Sequence, residues 1–344
     1  MKQKERTASF LVLSAGNESQ DKEANPEFKE MGVEEIEMKG DFIRFEGGED
    51  LTCFDILDAP GEVIGKSSYG TLYRANLLSD PVLLLRFLRP ACTIEKVQDV
   101  MHVVQLLGSV RHPNLVPLCG FYSGPRGEKL LVYPFYRRGN LAQFIRDENG
   151  DTHKWKIIYR ISMGIVKGLD YLHTSLQKPI IHGNLKSKNI FLGKNHQPFV
   201  SDFGIHLLLN PTASQEMLED ADIEGYKAPE LTKMKNSTTE TDIYNLGVIL
   251  LELITGKEPV NGKANQNQDL YLTTMISNAI ADHRLSNTFH HDVLEDHNGG
   301  SSCVNEDMII KFVQLALACC SPSPSLRPDI KQICRKLEEI GRKS

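Results

Sequence analysis

His182-Gly-Asn-Leu-Lys-Ser-Lys-Asn189 is followed closely by Ser201-Asp-Phe-Gly204. Each string is short and by itself weak. Other strings extend the pattern outward in both directions. Upstream lies Gly65-Lys-Ser-Ser-Tyr-Gly70; downstream come Ala228-Pro-Glu230, then Asp242 with Gly247, then Leu326-Arg-Pro328. Their order from Gly65 to Arg327, rather than any one of them, decides the fold.

The chain around these strings has 344 residues, 40% of them hydrophobic and 24% charged. At about 150 residues per domain, that length suggests about two units, enough to bury a core without a covalent staple. The net charge of −6 lies entirely in residues 1–50, which hold 13 acidic and 7 basic side chains of the totals 45 and 39. The remainder carries 32 of each sign. No basic excess supports a nucleic-acid footprint. The seven cysteines are odd in number, form no C-x-x-C pair and lack zinc-ligand spacing, which reads as reduced cytosolic thiol. No apolar run approaches about 18 residues, so no membrane span is expected. The apolar run Phe10-Leu-Val-Leu13 is too short for a signal peptide; without Gly at position 2, and with Gly-Arg-Lys-Ser344 as the last residues, neither a myristoyl nor a prenyl signal is expected.

Residues 14–50 are polar and acid-rich, and read as a mostly disordered arm with a short strand at Phe42–Phe45. Order is expected from Leu51. Apolar runs at Gly61–Gly65, Leu72–Leu77, Val82–Leu88, Leu115–Tyr122 and Leu130–Tyr136 predict antiparallel strands, the last two joined at Gly124-Pro-Arg-Gly127. One helix is predicted over Ile94–Leu107. From Asn140 the period turns helical: Ile158, Ile161, Ile165, Leu169 and Leu172 form one buried face. Ser237-Thr-Thr-Glu240 has capping-box spacing ahead of Ile243–Ile254, a helix apolar all round and therefore central. Residues 261–268 and Asn298–Ser302 read as loops, Phe312–Cys320 as an apolar helix holding Cys319 and Cys320 in the core, and Asp329–Ile340 as the final helix. The expected class is α+β and bilobal: a small antiparallel β lobe with one helix over 51–137, then a larger helical lobe over 138–344, with a small-molecule cleft between them.

The ordered strings resemble the protein kinases. His182–Asn189 matches the catalytic loop, Ser201–Gly204 the metal-binding loop, and Gly65–Gly70 the glycine-rich phosphate loop. Ala228-Pro-Glu230 matches the end of the activation segment, with Arg327 expected to pair with Glu230, and Asp242 matches the central-helix aspartate. Gly168-Leu-Asp-Tyr-Leu-His173 after Trp155, Gly225-Tyr-Lys-Ala-Pro-Glu230 and Leu251-Glu-Leu-Ile-Thr-Gly256 are similar to plant receptor-like kinases. The nearest group is the leucine-rich-repeat receptors, whose kinase domains often depart from the catalytic pattern. The resemblance covers about residues 50–340, only the cytoplasmic part of such receptors. It implies nucleotide contacts at Gly65, Ser67, Gly70, Leu72, Leu84, Arg86, Tyr133 and Tyr136, magnesium ligands at Asn189 and Asp202, and a γ-phosphate contact at Lys186.

Departures from the pattern decide function. The carboxylate that accepts the substrate proton is Asn184, whose amide can orient a hydroxyl but takes no proton. Such a loss costs about 10²–10⁴-fold. The phosphate-gripping lysine is Arg86 in Leu83-Leu-Leu-Arg86, with Arg89 as the alternative, and an arginine fork does not replace an ammonium. Leu84 stands where a small residue faces adenine. The helix glutamate falls on Val103, beside His102; Glu95 and Asp99 are the acids of that helix. Ser67 replaces the middle glycine of the phosphate loop, and Gly183 replaces the arginine that would meet an activation-loop phosphate. The activation segment, 205–229, carries Glu216, Glu219, Asp220, Asp222 and Glu224 against Lys227, a surface expected to repel acidic substrates; Thr212 and Ser214 are its candidate phosphorylation sites. The sequence therefore predicts a pseudokinase, or strongly impaired serine/threonine kinase, with ATP and Mg as ligands in doubt. It would act as scaffold or allosteric partner of other receptor-like kinases in the cytoplasm or at the cytosolic face of the plasma membrane. A weakly active kinase and an ATP-binding switch without transfer are the alternatives.

Overall fold

Val82-Leu-Leu-Leu-Arg-Phe-Leu88 has no polar alternation, so a strand built from it must be covered on both faces. The computed structural model, which describes residues 40–77, 82–147, 154–260, 271–282, 289, 293 and 306–342, makes this run an interior strand. The six-stranded sheet has the order β1-β5-β6-β4-β3-β2, from β1 (Asp41–Arg44), β2 (Gly61–Ser67), β3 (Gly70–Asn76), β4 (Val82–Leu88), β5 (Gly120–Ser123) and β6 (Lys129–Pro134). Leu83 and Leu85 of β4 pack with Ile56 and Ala59 at helix α1 (Cys53–Asp58) and with Tyr122, Leu130 and Val132. Leu84 and Arg86 alternate onto the opposite face and are also buried.

Sheet and α1 form one of two compact units. The other holds residues 92–117 and 136–344, together with the β2–β3 tip, Ser67–Tyr69. Its helices are α2 (Val97–Gly108), α3 (Leu141–Ile145), α4 (Trp155–Thr174), α5 (Pro211–Ile223), α6 (Thr239–Thr255), α7 (Leu272–Ala281), α8 (Glu306–Cys319) and α9 (Ile330–Gly341), with a two-stranded ribbon of β7 (Ile190–Leu192) and β8 (Pro198–Val200). The predicted face of α4 is fully buried at Ile158, Ile161, Ile165, Leu169 and Leu172. Helix α6 is buried along its length from Thr241 to Thr255, as its all-round apolarity requires. It meets α8 closely at Gly247, where a Cβ would lie 2.6 Å from Cys320 Sγ and 2.7 Å from the Ala316 carbonyl oxygen. Cys319 and Cys320 are core residues, and burial pushes the Cys319 thiol up to about 12.

Several elements differ from expectation. The short strand expected at Phe42–Phe45 is present one residue earlier, as Asp41–Arg44, and it joins the sheet by pairing with β5. Helix α1 was missed because it is short, although Thr52 caps it by accepting from the Asp55 amide at 3.1 Å. Helix α2 starts at Val97, which leaves Glu95 outside it, while Asp99 occupies the exposed first turn. Leu115–Leu118 is not part of β5; Val116 N donates instead to the Val200 carbonyl at 2.9 Å. The cap of α6 falls one residue later than Ser237, with Thr238 N donating to Thr241 Oγ1 at 2.9 Å. Helices α5 and α7 were not foreseen. The expectations for residues 14–39, 261–268 and 298–302 lie outside the described residues.

The Gly247 contact sets a test of the α6–α8 interface. Gly247→Leu should lower the free energy of urea unfolding by about 1–3 kcal/mol through overpacking, with unchanged stability contradicting the close approach.

Candidate functional site

A carboxylate removed from water is costly unless its lone pairs are filled. Asp242, in α6, is fully buried, and its partners organise the loop that resembles the catalytic loop. It accepts from His182 N at 2.7 Å and Gly183 N at 3.0 Å, and meets His173 Nε2 of α4 at 2.9 Å. Burial raises its pKa, but His173 and the amide donors outweigh burial and leave it below the ordinary carboxylate value. Gly183 adopts φ +78°, where the left-handed backbone favours glycine. The space a Cβ would enter there is filled by His206, with Nδ1 at 2.4 Å.

The loop is braced to the strand that follows it. Asn189 Nδ2 donates to the Asn184 carbonyl at 2.9 Å, and Ser201 donates to the Asn189 carbonyl from N at 2.8 Å and from Oγ at 2.9 Å. Gly204 N donates to the His182 carbonyl at 3.2 Å. These bonds bring the loops of Asn189 and Asp202 together, and both side chains are buried. Asp202 itself takes φ +60°, an uncommon conformation for a residue with a side chain.

The segment after Gly204 carries features the sequence reading missed. Asn210 caps α5 by accepting from Ala213 N at 2.9 Å, with Pro211 at the first helical position. Cys92 and Ile94 join its entry through Asn210 N to Cys92 O at 2.9 Å and Ile94 N to Leu208 O at 3.0 Å. Ala213, Met217, Leu218 and Ala221 form its buried side. Asp220 and Glu224, expected on a surface that repels acidic substrates, face inward instead. Glu224 accepts from Lys186 Nζ at 2.6 Å and from Lys188 Nζ at 2.9 Å. Asp220 Oδ2 accepts from Ser68 N at 3.3 Å. Tyr69, 3% exposed, receives a long 3.5 Å contact from Asn184 Nδ2 on its hydroxyl.

The remaining expected residues fall into four groups. Register places Leu72 opposite Arg86 and Leu84 opposite Tyr133, so these four share one sheet face; Arg89 lies beyond the end of β4 and is exposed. Gly65 and Gly70 lie on β2 and β3, flanking the Ser67–Tyr69 tip. Tyr136 stacks on Phe191 with ring centroids 5.6 Å apart and tilts against Phe199 at 4.6 Å, a packing role in the helical unit. Arg327, whose side chain is inaccessible, donates to both oxygens of Glu230 at 2.6 and 2.7 Å, a bidentate pair that fixes the end of the activation segment. Nearby, the buried Glu252 carboxylate accepts from Tyr226 Oη and, at 3.1 Å, from Ser187 Oγ; burial, opposed by those donors, pushes it up to about 7.

The sheet lobe, the helical lobe and the loop anchored on Asp242 define a protein kinase fold. The sequence profile of the protein tyrosine and serine/threonine kinase family matches residues 59–337, and the chain belongs to that family. It is 35% identical over 303 residues to the kinase-like protein TMKL1 of Arabidopsis thaliana, covering 88% of this chain and 44% of that one. Several further Arabidopsis relatives are receptor kinases named as inactive. The chain spans less than half the length of the first of these relatives. Among solved structures it resembles the maize sucrose-induced receptor kinase 1 kinase domain bound to AMP-PNP (TM-score 0.76, 27% identity, covering 88% of this chain and 100% of that one). It also resembles the pseudokinase domain of BIR2, an immune regulator of the RLK/Pelle family (TM-score 0.67, 29% identity, covering 82% and 81%). No helix among the described residues is long and apolar enough to cross a membrane.

The donor set fits magnesium and a nucleoside triphosphate only in part. Asn189 and Asp202 supply oxygen ligands of the kind magnesium takes, and that ion relies on phosphates and water for the rest of its shell. Two of the groups that would hold those phosphates, Lys186 Nζ and the Ser68 amide, already have carboxylate partners. As arranged, neither of these two donors is open to a triphosphate.

His206 supplies a pH test. Burial lowers its pKa below the ordinary value of about 6.5. Its contribution to stability is therefore complete above that value and is lost as pH falls through the folded pKa. The melting temperature should decline between about pH 7 and 5, and His206→Leu should reduce that slope. An identical slope in the variant would contradict the assignment.

Proposed function

We propose that this domain is a pseudokinase that signals by binding, as a scaffold or allosteric partner of active receptor-like kinases at the cytosolic face of the plasma membrane. The carrying observation is Asn184. The position that must accept the substrate proton holds a buried amide, and that amide faces Tyr69. Arg86 in the lysine position and Val103 in the glutamate position add to the loss, since neither reproduces the ion pair that positions phosphate. The relatives named as inactive and the pseudokinase neighbour support the same reading.

The fold supports this partner class, since a kinase-shaped surface without transfer chemistry is suited to engaging other kinase domains. Purified protein given radiolabelled ATP and magnesium should transfer no more label than Asp202→Ala. Transfer by the wild type that disappears in Asp202→Ala would overturn the proposal.

Retention of Asn189, Asp202 and Lys186 favours a second reading, a weak serine/threonine kinase in which Asn184 orients the hydroxyl. That reading requires Asn184→Asp combined with Arg86→Lys to raise transfer well above the wild type; absence of transfer in both forms excludes it.

A further inference from the structure

Asp220 and Glu224 lie one turn apart on the same side of α5, the spacing that lets two side chains act together. One takes the Ser68 amide, in the loop that resembles the phosphate loop. The other takes Lys186, in the position that resembles the γ-phosphate contact, and also Lys188. Glu224 is the C-cap of α5, where a carboxylate faces the negative end of the helix. Helical electrostatics therefore disfavour it there, and the two lysines offset that cost. The Lys186 side chain is only 12% exposed, so separating it from Glu224 would leave a largely buried ammonium to find another anion. Backbone bonds at Cys92 and Ile94 hold the start of the segment, and Asp222 meets Lys227 at 3.6 Å beyond its end.

We propose that Asp220 and Glu224 act as an internal phosphate mimic, an autoinhibitory clamp that a magnesium-bound nucleoside triphosphate must displace to reach Lys186 and the Ser67–Tyr69 tip. The clamp rests on the same reading of the site as the pseudokinase proposal, but it concerns nucleotide access rather than transfer. It makes nucleotide binding and opening of α5 one linked equilibrium: any ligand or partner that draws α5 away frees the phosphate donors, and any that stabilises α5 closes them. Gly183 leaves no arginine at the position that would capture an activation-loop phosphate, so opening must come from competition at Lys186 or from a partner's grip on α5.

The test compares full-length wild type, Glu224→Gln, Asp220→Asn and the control Glu219→Gln, whose side chain lies on the exposed side of α5. Binding of a fluorescent ATP analogue with magnesium should tighten by about tenfold or more in Glu224→Gln, equivalent to about 1.4 kcal/mol. It should tighten in the same direction in Asp220→Asn and stay at the wild-type level in Glu219→Gln. Without nucleotide, hydrogen exchange of the α5 amides should rise in Glu224→Gln and not in Glu219→Gln. Equal affinities in Glu224→Gln and wild type, an absence of binding in both, or unchanged α5 exchange overturns the clamp. Phosphoryl transfer by the wild type would overturn the pseudokinase proposal alone, and tighter binding by Glu224→Gln would still support the clamp.

Discussion

The buried charge of Asp242 is the constraint on which the site depends. A carboxylate in the centre of the helical unit must be met by donors, and the chain supplies two consecutive backbone amides, His182 and Gly183, and one imidazole, His173. Meeting that demand fixes the loop from His182 to Asn189, and the bonds from Asn189 to Ser201 carry the same order into the Asp202 loop. None of these contacts depends on residue 184. The frame of a kinase therefore persists in a chain whose proton acceptor has become an amide.

The same economy governs the phosphate-handling groups. An exposed lysine can remain solvated, but a largely buried one requires an anion. Lys186 finds it in Glu224, and the Ser68 amide finds it in Asp220. The acids that give the activation segment its charge are thus divided by helical phase. Glu216 and Glu219 face water, while Asp220 and Glu224 face the loops they neutralise. Loss of the arginine at Gly183 is likewise absorbed locally, by the His206 ring.

Much of this was legible in the sequence. The order of strings from Gly65 to Arg327 carries the fold, apolar periodicity places α4, and all-round apolarity places α6. The departures at Asn184, Arg86 and Gly183 are visible as single letters. Helix α5 is hidden even though Asn210-Pro211 is an N-cap followed by proline and Ala213, Met217, Leu218 and Ala221 lie on one helical side, because the five acids from Glu216 to Glu224 dominate the segment and point first to a surface that repels acidic substrates. The direction in which Asp220 and Glu224 point depends on how the helix docks, a tertiary fact that no local period encodes. Tyr136 shows the same dependence on packing: its position suggests a nucleotide contact, and no local pattern announces that its ring lies against Phe191 and Phe199.

The central claim is that two donors available for phosphate in this fold, Lys186 and the Ser68 amide, are already met from within. Its most direct test is the rise in melting temperature with millimolar ATP and magnesium, in the wild type and in Glu224→Gln. The account predicts the larger rise in Glu224→Gln, by about the 1.4 kcal/mol of a tenfold change in affinity. Equal rises in the two forms would contradict it.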